Sequence, residues 1–159
     1  MNIKTSIIEA HIFRISGNEI EFLLLKRSES EIYPGLWQMV TGSILDENEK
    51  AIEAALREIK EETDLEPIKF WVVPNINSFY WPEVDSIYHI PVFASMVEYN
   101  SIVKISEEHS EYKWVDKDEA LKLLAWPGQR KSVEIIYKYF MNEQIFLKFV
   151  EIPLRDKKN

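Results

Sequence analysis

Four residues near the middle of the chain, Arg57, Glu58, Glu61 and Glu62, carry the most chemistry. The three glutamates are related by three and four positions, so a helix sets their carboxylates on one face. At about 100° per residue, that face lies roughly a quarter to a third of a turn from the apolar stripe Ile52, Ala55, Leu56 and Ile59. The carboxylates are therefore expected at the rim of a core, not opposite it. Glu58 and Glu62 form a like-charge pair that costs an isolated helix about 0.2–0.5 kcal/mol. A divalent cation turns that repulsion into coordination, and Mg²⁺ favours carboxylate, water and phosphate oxygens. A solvated acidic face is the competing reading. Arg57, four residues before Glu61 and able to pair with it, weighs against that reading.

The helix that must position these groups is legible in its flanks. Asp46 and Glu49 have capping-box spacing, which predicts an Asp cap with Glu49 at the third position. The end is expected near Thr63-Asp64, with Pro67 shortly beyond. Before the helix, Trp37–Thr41 reads as a short strand that stops at Gly42 and sets a tight loop beside the acidic face. Ile7–Ile15 and Ile20–Lys26 read as strands of a hairpin around Ser16-Gly17-Asn18-Glu19. Ser28–Leu36 reads as a loop. Downstream, Ile68–Val73, Asn77–Tyr80, Ser86–Val97 and Tyr112–Val115 read as strands, and Asp116–Leu124 and Arg130–Met141 as helices. Ile145–Ile152 partly alternates and reads as an extra strand, while Arg155–Asn159 is polar and expected to be loose. Strands outnumber helices, which predicts an α/β (α+β) fold, a mixed sheet with helices packed on it.

The segment Gly42–Leu65 resembles the Nudix box: Gly, five residues, Glu, seven residues, then Arg-Glu-aliphatic-any-Glu-Glu-any-Gly-aliphatic. Glu49 takes the first Glu, and Arg57-Glu58-Ile59-Lys60-Glu61-Glu62-Thr63-Asp64-Leu65 completes the pattern. Ser43 stands at the box Gly, directly after Gly42. Asp64 stands at the late Gly, where Asp tolerates a left-handed helix end better than most residues. Asn48 replaces a Gly that many members have. Trp37-Gln38-Met39-Val40-Thr41-Gly42-Ser43 and Glu108-His109-Ser110-Glu111-Tyr112-Lys113-Trp114 are similar to segments of the bacterial dihydroneopterin triphosphate pyrophosphatases, also called dATP pyrophosphohydrolases, as is Gln129-Arg130. The resemblance covers roughly residues 5–140.

That resemblance implies a Nudix fold, an α/β/α sandwich, over one domain of residues 1–159 with an additional C-terminal segment 142–159. It implies Mg²⁺-dependent hydrolysis, with Mn²⁺ as a substitute, of a nucleoside or dihydroneopterin triphosphate to monophosphate and pyrophosphate. Glu58, Glu61 and Glu62 would hold the metal, with the Gly42 carbonyl as a further ligand and Arg57 steadying the carboxylates. Glu49 is either an outer carboxylate or only a capping partner. Glu108 is either a ligand or the water-activating base. Arg27 and Arg130 would meet phosphate, and Trp37 could stack on a ring, with Phe79, Tyr80 and Trp81 as other aromatic candidates. His11 and His89 are expected to be structural, and His109 receives no role. Dinucleoside polyphosphates or nucleotide sugars are alternative substrates, and a silent nucleotide-binding module is the alternative from another class.

Composition narrows the partners. Nineteen Lys and Arg against 27 Asp and Glu give a net charge of −8, which repels nucleic acid polymers at long range. Hydrophobic residues make up 46% of the chain, enough for a core, and the absence of cysteine excludes disulfides and thiolate zinc sites. No stretch approaches 18 apolar residues, and the N-terminus lacks signal-peptide character, so a cytoplasmic protein without membrane contact is expected. The tail after Met141 is expected either to pair across a homodimer or to cover the sheet edge.

Overall fold

Alternating β-branched and polar residues at the start of the chain pair as their period demands. In a computed structural model describing residues 1–155, β1 (Asn2–Lys4) leads into β2 (Ile7–Ser16). The turn, with Gly17 at φ 63°, returns the chain as β3 (Glu19–Arg27). Then follow β4 (Trp37–Gln38), β5 (Val40–Ser43), α1 (Ala51–Thr63), β6 (Lys69–Trp81) and β7 (Ser86–Met96). The chain continues through β8 (His109–Val115), α2 (Lys117–Leu123), α3 (Pro127–Asn142) and β9 (Glu151–Ile152).

All the strands join one mixed sheet. At its centre β2 runs parallel to β7 and antiparallel to β3 and β5. Alternation along β2 then assigns the two faces. Ile8, Ala10 and Ile12 pack with Leu23, Leu25 and Val40 against Ala54, Ala55 and Ile59 of α1. Phe13, Phe22, Leu24, Met39 and Trp71 pack on the other face against Ala120 of α2, Leu124 at its C-terminal cap, and Val133 and Ile136 of α3. The sheet is thus covered by helices on both sides, as expected. None of the helices of the described residues is long and apolar enough to cross a membrane.

Several boundaries depart from the sequence reading. The segment around Trp37–Thr41 is two strands that serve different partners: β4 pairs with β3, while β5, beyond Met39, pairs with β2. The two strands expected within 68–80 are one strand, β6, with a register shift between Val73 and Ile76 that absorbs Pro74. The cap of α1 is Lys50, not Asp46, and Glu53 reaches back to the Lys50 N–H at 3.0 Å. Asp46 instead closes a turn by accepting from the Asn48 N–H at 2.7 Å. Asp64 ends α1 in the left-handed region, φ 60°, as anticipated for the box departure. The last long helix begins at Pro127, whose missing N–H costs nothing in a first turn. The expected tail strand is a 3₁₀ turn, Gln144–Phe149, and only Glu151–Ile152 pairs, antiparallel to Phe70–Trp71 on the outer edge of β6. The polar end at 156–159 lies outside the described residues.

Polar side chains interrupt the α3-facing side of β2. Glu9 is buried and accepts from Asn77 Nδ2 at 2.7 Å. Burial raises its pKa, against the opposing hydrogen bonds of Asn77 and Gln129. His11 is buried with no partner on Nε2 among the described residues, and burial pushes its pKa down to about 3. The folded state therefore holds His11 neutral. Its contribution is complete above the ordinary value of 6.5 and is lost as pH falls toward 3. Denaturant unfolding of wild type and His11→Leu across pH 7 to 4 should give stabilities that diverge by up to about 1.4 kcal/mol per pH unit. Wild type should lose the more on acidification. The difference between the two proteins cancels the opposite slopes of Glu9 and other raised carboxylates. Parallel pH curves would contradict the assignment.

Candidate active site

Arg57 organises the first half of the site. Its Nε and Nη2 donate to both carboxylate oxygens of Glu49, at 2.7 and 3.1 Å. Nη1 donates to Glu58 at 2.8 Å and to Glu61 at 3.2 Å, and Nη2 also donates to the Ser43 carbonyl at 2.8 Å. The rigid fork thus ties α1 to the end of β5 and to the loop between them. Glu49, on which two readings stood open, is no cap partner of Asp46. Its second oxygen takes the Leu45 N–H at 2.7 Å, and Arg57 first, then this bond, lowers its pKa.

Gly42 sits where β5 passes under α1. A Cβ there would lie 2.2 Å from Glu58 Cδ, so the missing side chain leaves the seat for that carboxylate. The required glycine is a matter of close approach, not of backbone angle.

Glu62 departs from the expected rim position. It is 2% exposed. The segment after Val103 roofs it: Lys104 N–H donates to the Thr63 carbonyl at 2.9 Å and Ser106 N–H to the Glu62 carbonyl at 3.3 Å. The same segment delivers Glu108 and His109. Ligand atoms of Glu62, Glu108 and His109 all lie within 4.8 Å of one another. The Glu108 backbone is fixed by Ser28, whose N–H donates to the Glu108 carbonyl at 2.9 Å and whose hydroxyl donates to the Glu107 carbonyl at 2.6 Å.

Arg27, at the end of β3, reaches this second group. Nη1 donates to Gln38 Oε1 at 3.4 Å, Nη2 to Glu31 at 3.4 Å, and Nε to the Ile32 carbonyl. A guanidinium has five N–H donors, so capacity remains for an anion. Gln38 Nε2 in turn meets His109 Nε2 at 3.1 Å. Trp37 is half-buried with the Lys113 ammonium 4.8 Å and the Lys26 ammonium 5.9 Å from its ring centre. Arg130 lies elsewhere in role: its Nη1 bonds the carbonyls of Leu124 and Ala125, both at 2.9 Å, and staples the link between α2 and α3. Phe79, Tyr80 and Trp81 belong to the far end of the β6–β7 hairpin. Phe79 stacks on Tyr88 at 5.4 Å, Trp81 tilts against the same ring, and Tyr80 donates to Asp85. Gln38 and His109 were missed as site residues. Their place beside the Trp-Gln and Glu-His segments was the available signal.

Electrostatics orders the carboxylates by depth. Glu61 is exposed, and Glu58 is half-buried with its pKa raised by burial against the pull of Arg57. Burial first, then Glu108 and Glu58, push Glu62 up to about 10. Burial and the Arg27 charge bring His109 down to about 4, so its ring is neutral near pH 7. The donor set fits a hard divalent cation. It is rich in carboxylate oxygen, and Glu62 Oε2 is buried with no partner among the described residues.

Two outcomes follow. A cation that binds Glu62 must displace its proton, so Mg²⁺ affinity should rise with pH between 6 and 9. Calorimetry in buffers of different ionisation heat should detect about one proton released per ion. Gly42→Ala should fold and melt near wild type, because the clashing atoms end a flexible side chain, yet lose about tenfold or more in Mg²⁺ affinity. Unchanged affinity would show that Glu58 does not need this seat.

Known proteins add to this geometry. The NUDIX domain family matches residues 7–135. The mouse (Mus musculus) asymmetrical bis(5'-nucleosyl)-tetraphosphatase is 27% identical over 134 residues, spanning 76% of this chain and 81% of the relative. Nucleoside triphosphatase NudI of Escherichia coli is 29% identical over 126 residues, spanning 74% of this chain and 89% of the relative. The structure of the E. coli dihydroneopterin triphosphate pyrophosphohydrolase shares the fold, with a TM-score of 0.67 and 24% identity over 84% of this chain and 98% of that one. The matched span holds the Arg57 hub, the glutamates of α1 and Glu108, and the chain belongs to the NUDIX domain family.

Proposed function

We infer that the protein hydrolyses a (deoxy)nucleoside or dihydroneopterin triphosphate to the monophosphate and pyrophosphate. The enzyme class, a Nudix hydrolase acting on phosphoanhydride bonds, comes with the family. The observation that carries the site is the convergence of Glu62 and Glu108 within 4.8 Å beside the Glu58 seat at Gly42. The Trp37–Ser43 and Glu108–Trp114 segments support the triphosphate reading.

Glu58, Glu61, Glu62 and the Gly42 carbonyl would hold Mg²⁺, or Mn²⁺ in its place, with Arg57 fixing the carboxylates. The cation supplies charge neutralisation on the phosphate oxygens and a more acidic bound water. Arg27 turns its remaining N–H donors toward the phosphate chain. Trp37, under two ammonium groups, sits beside it as the ring surface for the base or pterin. Glu108 comes from an exposed loop and is not held by Arg57, so it is the carboxylate placed to take the proton of the attacking water. Water adds to phosphorus, the anhydride P–O bond breaks, and the leaving oxygen departs with pyrophosphate. Arg130, spent on the α2–α3 link, supports the site through that link.

A second reading, cleavage of dinucleoside polyphosphates, is favoured by the mouse tetraphosphatase relative. A panel with Mg²⁺ separates them: dihydroneopterin triphosphate, the eight common nucleoside triphosphates, a dinucleoside tetraphosphate and ADP-ribose. Pyrophosphate release should be fastest from a triphosphate and fall at least about 100-fold in Glu61→Gln, as expected for loss of a ligand to the cation that would stabilise transition-state charge. Preference for the tetraphosphate would transfer the same chemistry to the second reading. Folded protein inert on all members would favour a binding module.

A further inference from the structure

His109 lies among oxygen ligands, and two roles are open to it: a nitrogen ligand to the cation, or a donor that sets the orientation of Glu62. The hydrogen-bond chain behind it chooses between them. Arg27 can only donate, so Gln38 must turn its carbonyl oxygen toward Nη1, at 3.4 Å. A flipped amide would set N–H against N–H. That fixes Gln38 Nε2 on the His109 side, 3.1 Å from the ring Nε2. An amide nitrogen is a donor only, so His109 Nε2 must accept. A neutral ring with an accepting Nε2 carries its proton on Nδ1. A protonated Nδ1 has no lone pair for a metal. That nitrogen is buried, has no hydrogen-bond partner among the described residues, and is 4.0 Å from Glu62 Oε1.

We propose that His109 is a positioning residue: the Arg27–Gln38–His109 chain locks the Nδ1–H tautomer, whose proton is aimed at Glu62 and orients that carboxylate for the cation. The proposal rests on Glu62 being a cation ligand. The gap of 4.0 Å is about 1 Å beyond a hydrogen bond, and the proposal requires the carboxylate to close it on ionising. The logic is that of histidine tautomers set by the partner of the other nitrogen, with His109 in the outer layer and the carboxylate in the inner one. The chain also joins the arginine assigned to substrate phosphate with a ligand of the metal, through three side chains on β3, β4 and β8.

Long-range ¹H–¹⁵N NMR of the wild-type protein, with and without Mg²⁺, reads the tautomer directly. Nδ1 should be the protonated nitrogen in both, and Gln38→Leu should give a mixture of tautomers. A wild-type Nδ1 that is unprotonated, or loses its proton when Mg²⁺ is added, would overturn the proposal and make His109 a ligand. The second readout is Mg²⁺ affinity by calorimetry. Asparagine can place an N–H where Nδ1 stands, so His109→Asn should stay within about threefold of wild type. His109→Leu, which removes the donor, should lose about 10–100-fold. Equal affinities for Asn, Leu and wild type would refute the positioning role. Glu62→Gln serves as the reference. If it binds Mg²⁺ as wild type does, the ligand assignment of Glu62 fails, and the tautomer result still stands on its own.

Discussion

Mutual repulsion of carboxylates is the constraint around which this molecule is built. Glu49, Glu58 and Glu61 converge on one guanidinium, and the Ser43 carbonyl takes what remains of it. Without Arg57 the loop before α1 and the helix face would meet through the like charges of Glu49, Glu58 and Glu61, and the Ser43 carbonyl at the end of β5 would lose its donor. The hub does two jobs with one residue. It offsets the repulsion, and it fixes the distance between the helix and the strand beneath it. The pull is strong enough to raise the Arg57 pKa well above its ordinary range, with Glu49 the first cause.

Glu62 obeys a different economy. Among the described residues no arginine forms an ion pair with it, the Arg27 charge offsets its own only in small part, and it is enclosed by the segment that runs from Val103 to His109 over the end of α1. A buried carboxylate among like charges favours the protonated form until a cation arrives. The site thus combines one half preset by an ion-pair hub and one half whose buried carboxylate would need a cation to become charged. The neutral His109 ring belongs to the second half and the exposed Glu61 to the first.

The sequence is readable wherever a short-range rule decides. The i, i+3, i+4 spacing of Glu58, Glu61 and Glu62 suffices to gather them, and the apolar stripe suffices to say which way α1 faces. The left-handed end at Asp64 follows from the residue type. What escapes is set by long-range contact. Nothing local says that 103–109 will cross α1, so Glu62 reads as a rim residue and is buried. Nothing local distinguishes an Asp46 cap from a turn once Glu49 is drawn toward Arg57, eight positions away. The division at Met39 is invisible because both of its strands alternate normally, and only their partners differ. The chain of Arg27, Gln38 and His109 is scattered over 83 positions, and each member has an ordinary structural role when seen alone.

The division at Met39 has a consequence for how this segment can change. Gln38 is fixed by pairing with β3 and Gly42 by pairing with β2, only four residues apart along the chain. Each pairing has a period of two, so one residue more or fewer turns a side chain to the opposite face. An insertion that preserved the Glu58 seat would swing the amide away from His109, and one that preserved the amide would put a side chain under Glu58. Residues 37–43 therefore behave as a ruler between the two halves of the site, open to exchange at its outward positions but closed to the gain or loss of a single residue.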